Sequence, residues 1–205
     1  MEFTFPFSSC EKANKGVAQP YSVAANLLSC VVILFYIVNA EAFRTTVLFG
    51  SIFLFEVFHT FSHAVHIPGK WQQRIQHALT YGMNAAFIYY FADLTGHPPS
   101  VALWTTLAVL SILDIYSFIH FPMMAYIGTQ VALFVASSAY YYAWLKSKMK
   151  KGIGWILSLS CLILLLVWNE VANCEFMMKW TTAPYHVAIE LVGTVLFGVM
   201  GFVFR

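Results

Sequence analysis

Seven stretches of this 205-residue chain are apolar over the roughly 20 residues that a helix needs to cross a bilayer core of about 30 Å. They run over residues 21–40, 43–66, 75–93, 100–120, 122–145, 153–173 and 183–204. Chain breakers fall between them, at Pro68-Gly69, Gly96-His97-Pro98-Pro99, Pro122 and Pro184. Short connectors and a polar N-terminal stretch are all that remains, which leaves no room for a soluble domain. No segment alternates with a period of two for long enough to build a membrane barrel. The pattern predicts an all-α membrane protein, a single bundle of seven transmembrane helices. Composition agrees: 60% of residues are hydrophobic and 10% charged, against about 45–50% and 25% in a soluble domain. So few charges cannot clothe a globule in water. That excludes an ordinary soluble enzyme, a basic nucleic-acid-binding face and a disordered chain.

Orientation follows from Lys and Arg in the connectors. Lys146, Lys148, Lys150 and Lys151 crowd one loop, on the side that also holds Arg44 and Arg205. On the other side Lys12, Lys15, Lys70, Arg74 and Lys179 are spread out and diluted by Glu2, Glu11 and Glu175. The dense cluster predicts a cytosolic C-terminus, with the N-terminus outside or in a lumen. No basic leader with an early apolar core opens the chain, so the first span is expected to be retained. The four cysteines form no CxxC pair. Cys30 and Cys161 sit in apolar runs and read as small hydrophobes. Cys10 and Cys174 fall on the outer side and could pair there; the sequence leaves both outcomes open.

With alternating spans, every intramembrane polar group acquires a depth. Glu56, His59, Ser62, His63 and His66 lie in the outer half of the second helix, and His77 opens the third. Asp114 and His120 end the fourth helix there, Asn169 and Glu170 the sixth, and His186 and Glu190 begin the seventh. Only His97 is at the opposite face, in an exposed connector. Ionisable groups in hydrocarbon are costly, so they face a bundle interior and mark either interhelical hydrogen bonds or a site. Glu56, His59, His63 and His66 follow i, i+3, i+7, i+10 spacing and share a stripe expected to point inwards. Imidazoles at this density, with a carboxylate, suit zinc or iron.

These residues resemble the alkaline ceramidase superfamily, which includes the adiponectin-receptor-like proteins. The resemblance rests on seven spans, on Ser62-His63-Ala64-Val65-His66 as Ser-x-x-x-His ending the second, on a polar residue opening the third, and on a histidine opening the seventh. Ser9-Cys10-Glu11 and Tyr21-Ser22-Val23-Ala24-Ala25-Asn26 resemble the family's N-terminal pattern. Two positions depart from it. His77 stands where the family has Asp, and His186-Val187-Ala188-Ile189-Glu190 stands where it has His-x-x-x-His, unless His186 aligns with the second histidine of that pair and Thr182 with the first. Gln19 replaces an expected Glu among the calcium-binding acids, so calcium is not expected.

The resemblance implies a zinc-dependent intramembrane lipid hydrolase that cleaves an amide or ester of a long-chain lipid, a sphingolipid being one such substrate. His66, His77 and His186 would hold Zn²⁺, Ser62 would steady the oxyanion, and Glu190 would serve as general base or fourth ligand. Within this reading His59 contributes packing and hydrogen bonding. The alternative is a catalytically inactive, receptor-like or accessory subunit of a membrane complex, with other membrane proteins as its partners. An iron or haem protein fits less well: His59-x-x-x-His63-x-x-His66 resembles one histidine box of a di-iron hydroxylase, and those enzymes need several. The seventh span has no lysine for a retinal Schiff base.

Overall fold

The computed structural model describes residues 11, 14–65, 70–120, 123–149, 152–180 and 185–204. Within them the chain forms α1 (Pro20–Val38), α2 (Phe43–Ala64), α3 (Lys70–Thr95), α4 (Val101–His120), α5 (Met123–Met149), α6 (Gly152–Trp180) and α7 (Tyr185–Val203). Among the described residues no strand occurs; a lone bridge joins Asn14 and Val17. Each helix matches one apolar stretch of the sequence. Their ends differ, because helical hydrogen bonding continues past the apolar window: α3 starts at Lys70, α5 runs to Met149 and α6 to Trp180. In the other direction, α2 stops at Ala64, where Val65 turns extended.

Five helices are long and apolar enough to cross a membrane: α1, α2, α4, α7 and the Gly152–Glu170 part of α6. This is the make-up of a multi-pass membrane protein. α3 and α5 are more polar because their polar side chains are spent inside the bundle. Gln72, Gln76 and Asn84 of α3, and Gln130 and Ser137 of α5, are all buried. Large apolar residues face outwards instead, among them Ile112 and Ile119 of α4, Trp155 and Trp168 of α6, and Phe202 of α7. The buried acids Glu56, Asp114, Glu170 and Glu190 show the complementary pattern. That inversion is what hydrocarbon surroundings demand. Cys30 is buried and Cys161 exposed, both free thiols. Cys10 and the side chain of Cys174 lie outside the described residues.

α1 packs between α2 and α7, α2 against α3, α6 against α7, and α5 against both α3 and α4. Small residues allow α1 its close approaches. Ser22, Ala25, Asn26 and Ser29 are buried, and Ser29 Oγ lies 2.6 Å from Thr194 Oγ1 of α7. Lower down, a Cβ on Gly201 would stand 2.2 Å from the Tyr36 ring, whose hydroxyl donates to the Gly198 carbonyl at 3.0 Å. Only glycine fits there. α5 and α6 meet sparsely, and the seam between them borders a cavity of about 730 Å³.

A chain of polar side chains secures α4. Asp114 is fully buried; its Oδ2 accepts from Gln130 Nε2 at 2.9 Å and meets His77 Nε2 at 2.5 Å, while Gln130 Oε1 accepts from Asn84 Nδ2 at 3.0 Å. Removing the carboxylate strands both partners. Asp114→Ala is expected to destabilise the bundle by about 1–3 kcal/mol. Ile112→Ala on the outward face is expected to change little. Unfolding in mixed micelles measures both, and equal losses would show that the polar chain does not hold α4.

Candidate metal centre

The end of the bundle where α1 begins gathers His59 and His63 from α2 with His186 and Glu190 from α7. One ligating atom from each lies within 4.8 Å of all the others. Helix geometry makes the pairs: residues four apart stand one above the other on one face, and both pairs have that spacing. Glu190 Oε1 is the hub. It lies 3.1 Å from His59 Nε2, 3.3 Å from His63 Nε2 and 2.9 Å from His186 Nε2. The Nε2 atoms of His59 and His63 are 3.0 Å apart. His63, His186 and Glu190 are buried and His59 nearly so.

The far sides of two rings are held. His186 Nδ1 donates to Glu170 Oε2 of α6 at 2.7 Å. His63 Nδ1 donates to Gln19 Oε1, from the residue just before α1; an amide oxygen can only accept, so the proton belongs to the ring nitrogen. With Nδ1 protonated, the neutral rings present bare Nε2 lone pairs to a carboxylate oxygen. Lone pairs facing one another at about 3 Å repel unless a cation lies between them. Protons on His59 and His186 would answer some of these contacts, and a metal ion among the four residues would answer all of them. Ligand atoms around a tetrahedral zinc with bonds of about 2.0–2.1 Å stand roughly 3.3 Å apart. Four of the six pairwise contacts, 2.9–3.3 Å, come near that spacing, and all six lie within 4.8 Å. Metal-ligating histidines also characteristically donate their second nitrogen to a carboxylate or amide oxygen. The four residues could hold a metal ion.

Of the residues singled out in the sequence, His186 and Glu190 come together, and Glu190 does so as a shared contact of three imidazoles. His66 lies outside the described residues. His77, expected beside His186, instead turns to Asp114 and stacks on Phe118, ring centroids 4.3 Å apart. The phase of α3 aims it at α4, away from α7. Ser62 is buried with its hydroxyl donating to the Phe58 carbonyl at 2.9 Å, so the proton expected to steady an oxyanion is engaged. His59 and His63 point inwards, as their stripe predicts, but as members of the cluster rather than as packing partners. Sequence reading missed Gln19 and Glu170 as the groups that orient the rings. For Glu170 a signal existed, since it shares the depth of His186. His97 is exposed in the α3–α4 connector, its ring against Trp144.

His59, His186 and Glu190 border the 730 Å³ cavity, together with Glu56 one turn below His59. The remaining lining is dominated by apolar side chains such as Phe87, Phe134, Ile156 and Leu196. Along α7 the lining runs from His186 to Met200 and on to Phe204, about 27 Å of chain at 1.5 Å per helical residue. The lining is therefore mostly apolar, with its ionisable groups Glu56, His59, His186 and Glu190 drawn from α2 and α7. No family model, curated protein or solved structure matches the chain.

Purified protein is expected to bind about one divalent metal ion per chain. His63→Ala and His186→Ala should each empty the site, and His77→Ala should leave it filled. Elemental analysis after chelation and reloading reads all four proteins. Full metal content in His186→Ala would dismantle the assignment.

Proposed function

We propose that this chain is a zinc-dependent hydrolase of a long-chain membrane lipid, cleaving an amide or ester bond inside the bilayer. One observation carries the reading: the four-residue cluster borders a mostly apolar cavity. Volumes of about 300–1,000 Å³ are usual for small-molecule sites, and a mostly apolar lining that spans about 27 Å of α7 suits an acyl chain better than a polar metabolite. The resemblance of the second and seventh helices to the alkaline ceramidase superfamily supports the same chemistry. The seven helices would each cross the bilayer, with the N-terminus outside or lumenal and the C-terminus cytosolic. Lipid would then enter between α5 and α6, where the helices meet sparsely.

Zinc, when bound, polarises a carbonyl and lowers the pKa of water towards neutrality. The chain's residues supply the rest. His59, His63, His186 and Glu190 would hold the ion, with water as an additional ligand; Glu190 Oε1 lies against all three imidazoles. Glu190 is therefore a ligand, and another group must take the proton from water. Glu56 lies in the cavity wall one turn before His59, is buried, and has an Oε2 with no hydrogen-bond partner among the described residues. It is the carboxylate placed to take that proton. The apolar lining holds the acyl chain and excludes bulk water, which strengthens electrostatic effects at the cluster.

Zinc-loaded protein in nanodiscs is expected to release fatty acid from a long-chain N-acyl amino alcohol or monoacyl ester. Glu56→Gln should keep its zinc and lose about 10²–10⁴-fold in rate. Zinc bound at full stoichiometry without turnover of either lipid would favour the inactive, accessory-subunit reading instead.

A further inference from the structure

A short strap ahead of α1 ties down one end of the site. Asn14 and Val17 exchange two backbone hydrogen bonds of 3.0 Å across Lys15-Gly16. Both turn residues have positive φ, 49° and 83°, the pairing of a tight two-residue reversal in which glycine relieves the second position. The strap then runs along the end of α2: the Ala18 amide donates to the Ala64 carbonyl at 3.1 Å, and the Gln19 amide to the His63 carbonyl at 3.0 Å. These are carbonyls that a helix C-terminus leaves without partners. Upstream, the Glu11 carboxylate caps α1, accepting from the Tyr21 amide at 2.5 Å, the Ser22 amide at 3.1 Å and the Ser22 hydroxyl at 2.6 Å. α1 has no side-chain cap from Gln19 itself. The Gln19 side chain is thereby free of the usual capping role, and it reaches His63 Nδ1.

We infer that this strap is part of the metal centre: Gln19 is a positioning residue that fixes the tautomer and orientation of His63, so that strap docking and metal binding stabilise one another. The inference rests on the metal site proposed above and adds its regulation. His63 is fully buried, and its Nε2 is usable as a ligand only while Nδ1 carries the proton. Gln19 is the acceptor that holds the proton there. The same residue pairs by its backbone with the His63 carbonyl, so the strap cannot lift without releasing the ring. Linkage is reciprocal: whatever factor the docked strap adds to metal affinity, bound metal adds to strap docking. Anything that pulls the N-terminal segment away from α2 would weaken the site without touching a ligand.

The test uses the full chain in nanodiscs with zinc alone as ligand. Gln19→Leu is expected to lower zinc affinity about 10–100-fold, the usual effect of losing such a partner. Gln19→Glu, which keeps an acceptor, should bind within a few-fold of the parent. Saturating zinc should slow hydrogen exchange at the Ala18 and Gln19 amides by the same factor in the parent and leave it unchanged in Gln19→Leu. ¹⁵N histidine spectra of the metal-free protein should show His63 protonated at Nδ1 in the parent and as mixed tautomers in Gln19→Leu. Equal zinc affinity in parent and Gln19→Leu, or equal losses in the Leu and Glu variants, would overturn the inference. If the parent binds no zinc, the metal reading falls, and the coupling inferred from it falls too. In that event the tautomer spectra still decide separately whether Gln19 positions His63.

Discussion

The half of this bundle where α1 begins is organised around one carboxylate oxygen that three imidazole nitrogens approach to 2.9–3.3 Å. In water such a group would be solvated and indifferent to its neighbours. Surrounded by helices that face hydrocarbon, its charge must be answered from within the protein. That requirement fixes the rotation of α2 and α7 relative to each other, because the only compensating groups on α2 lie on the stripe holding His59 and His63. The fit between α1 and α7 at Ser29–Thr194 and at Gly201 lets α1 lie close beside both. Glu170 and the strap enter as second-layer acceptors, without which two ring protons would have no fixed position. The polar interior decides which faces meet, and the apolar exterior only permits it.

The same logic separates two polar networks that the sequence presents as one. Six histidines share a face by depth, but depth is a single coordinate. Rotation about each helix axis sorts them: α3 turns His77 towards Asp114 and Gln130, where it helps tie α4 to the bundle, while α2 and α7 turn their histidines towards each other. A structural network and a metal-ready group thus stand at the same end of the bundle with different compositions. In the first, amide and carboxylate groups alternate as donors and acceptors and satisfy one another. In the second, acceptors converge on acceptors. With that composition the second could hold a metal ion.

The seven helices were legible because the bilayer imposes their length and apolar content, and the breakers at Pro68-Gly69 and Gly96 to Pro99 punctuate them. The inward stripe of α2 was legible from spacing. Its exact ligands were not, because His59-x-x-x-His63 and Ser62-x-x-x-His66 offer the same four-residue spacing in two registers a turn apart, and where α2 ends at Ala64 is set by the strap pairing with its last carbonyls. His186 and Glu190 could be named because one helix carries both. His77 could not be placed, since its partner Asp114 is 37 residues away on another helix and only packing joins them. Gln19 was noticed only as a missing calcium ligand. A polar residue beside a helix start reads as a cap, and here the distant Glu11 takes that role.

Glu190 bears on the chemistry proposed for the cluster. Three neutral imidazoles leave a divalent ion with its full double charge; adding one carboxylate ligand halves it. A less positive ion acidifies water less strongly, so the burden of accepting a proton shifts to the protein. The chain supplies a candidate in Glu56, a buried carboxylate on the same α2 stripe as two of the ligands. In the proposed hydrolase Glu190 would lower the charge of the site, and Glu56 would provide the base that such a site requires. A chain with Glu190 but an apolar residue in place of Glu56 would keep the ligands and lose the proton acceptor, which is the composition expected of a metal-binding subunit without turnover.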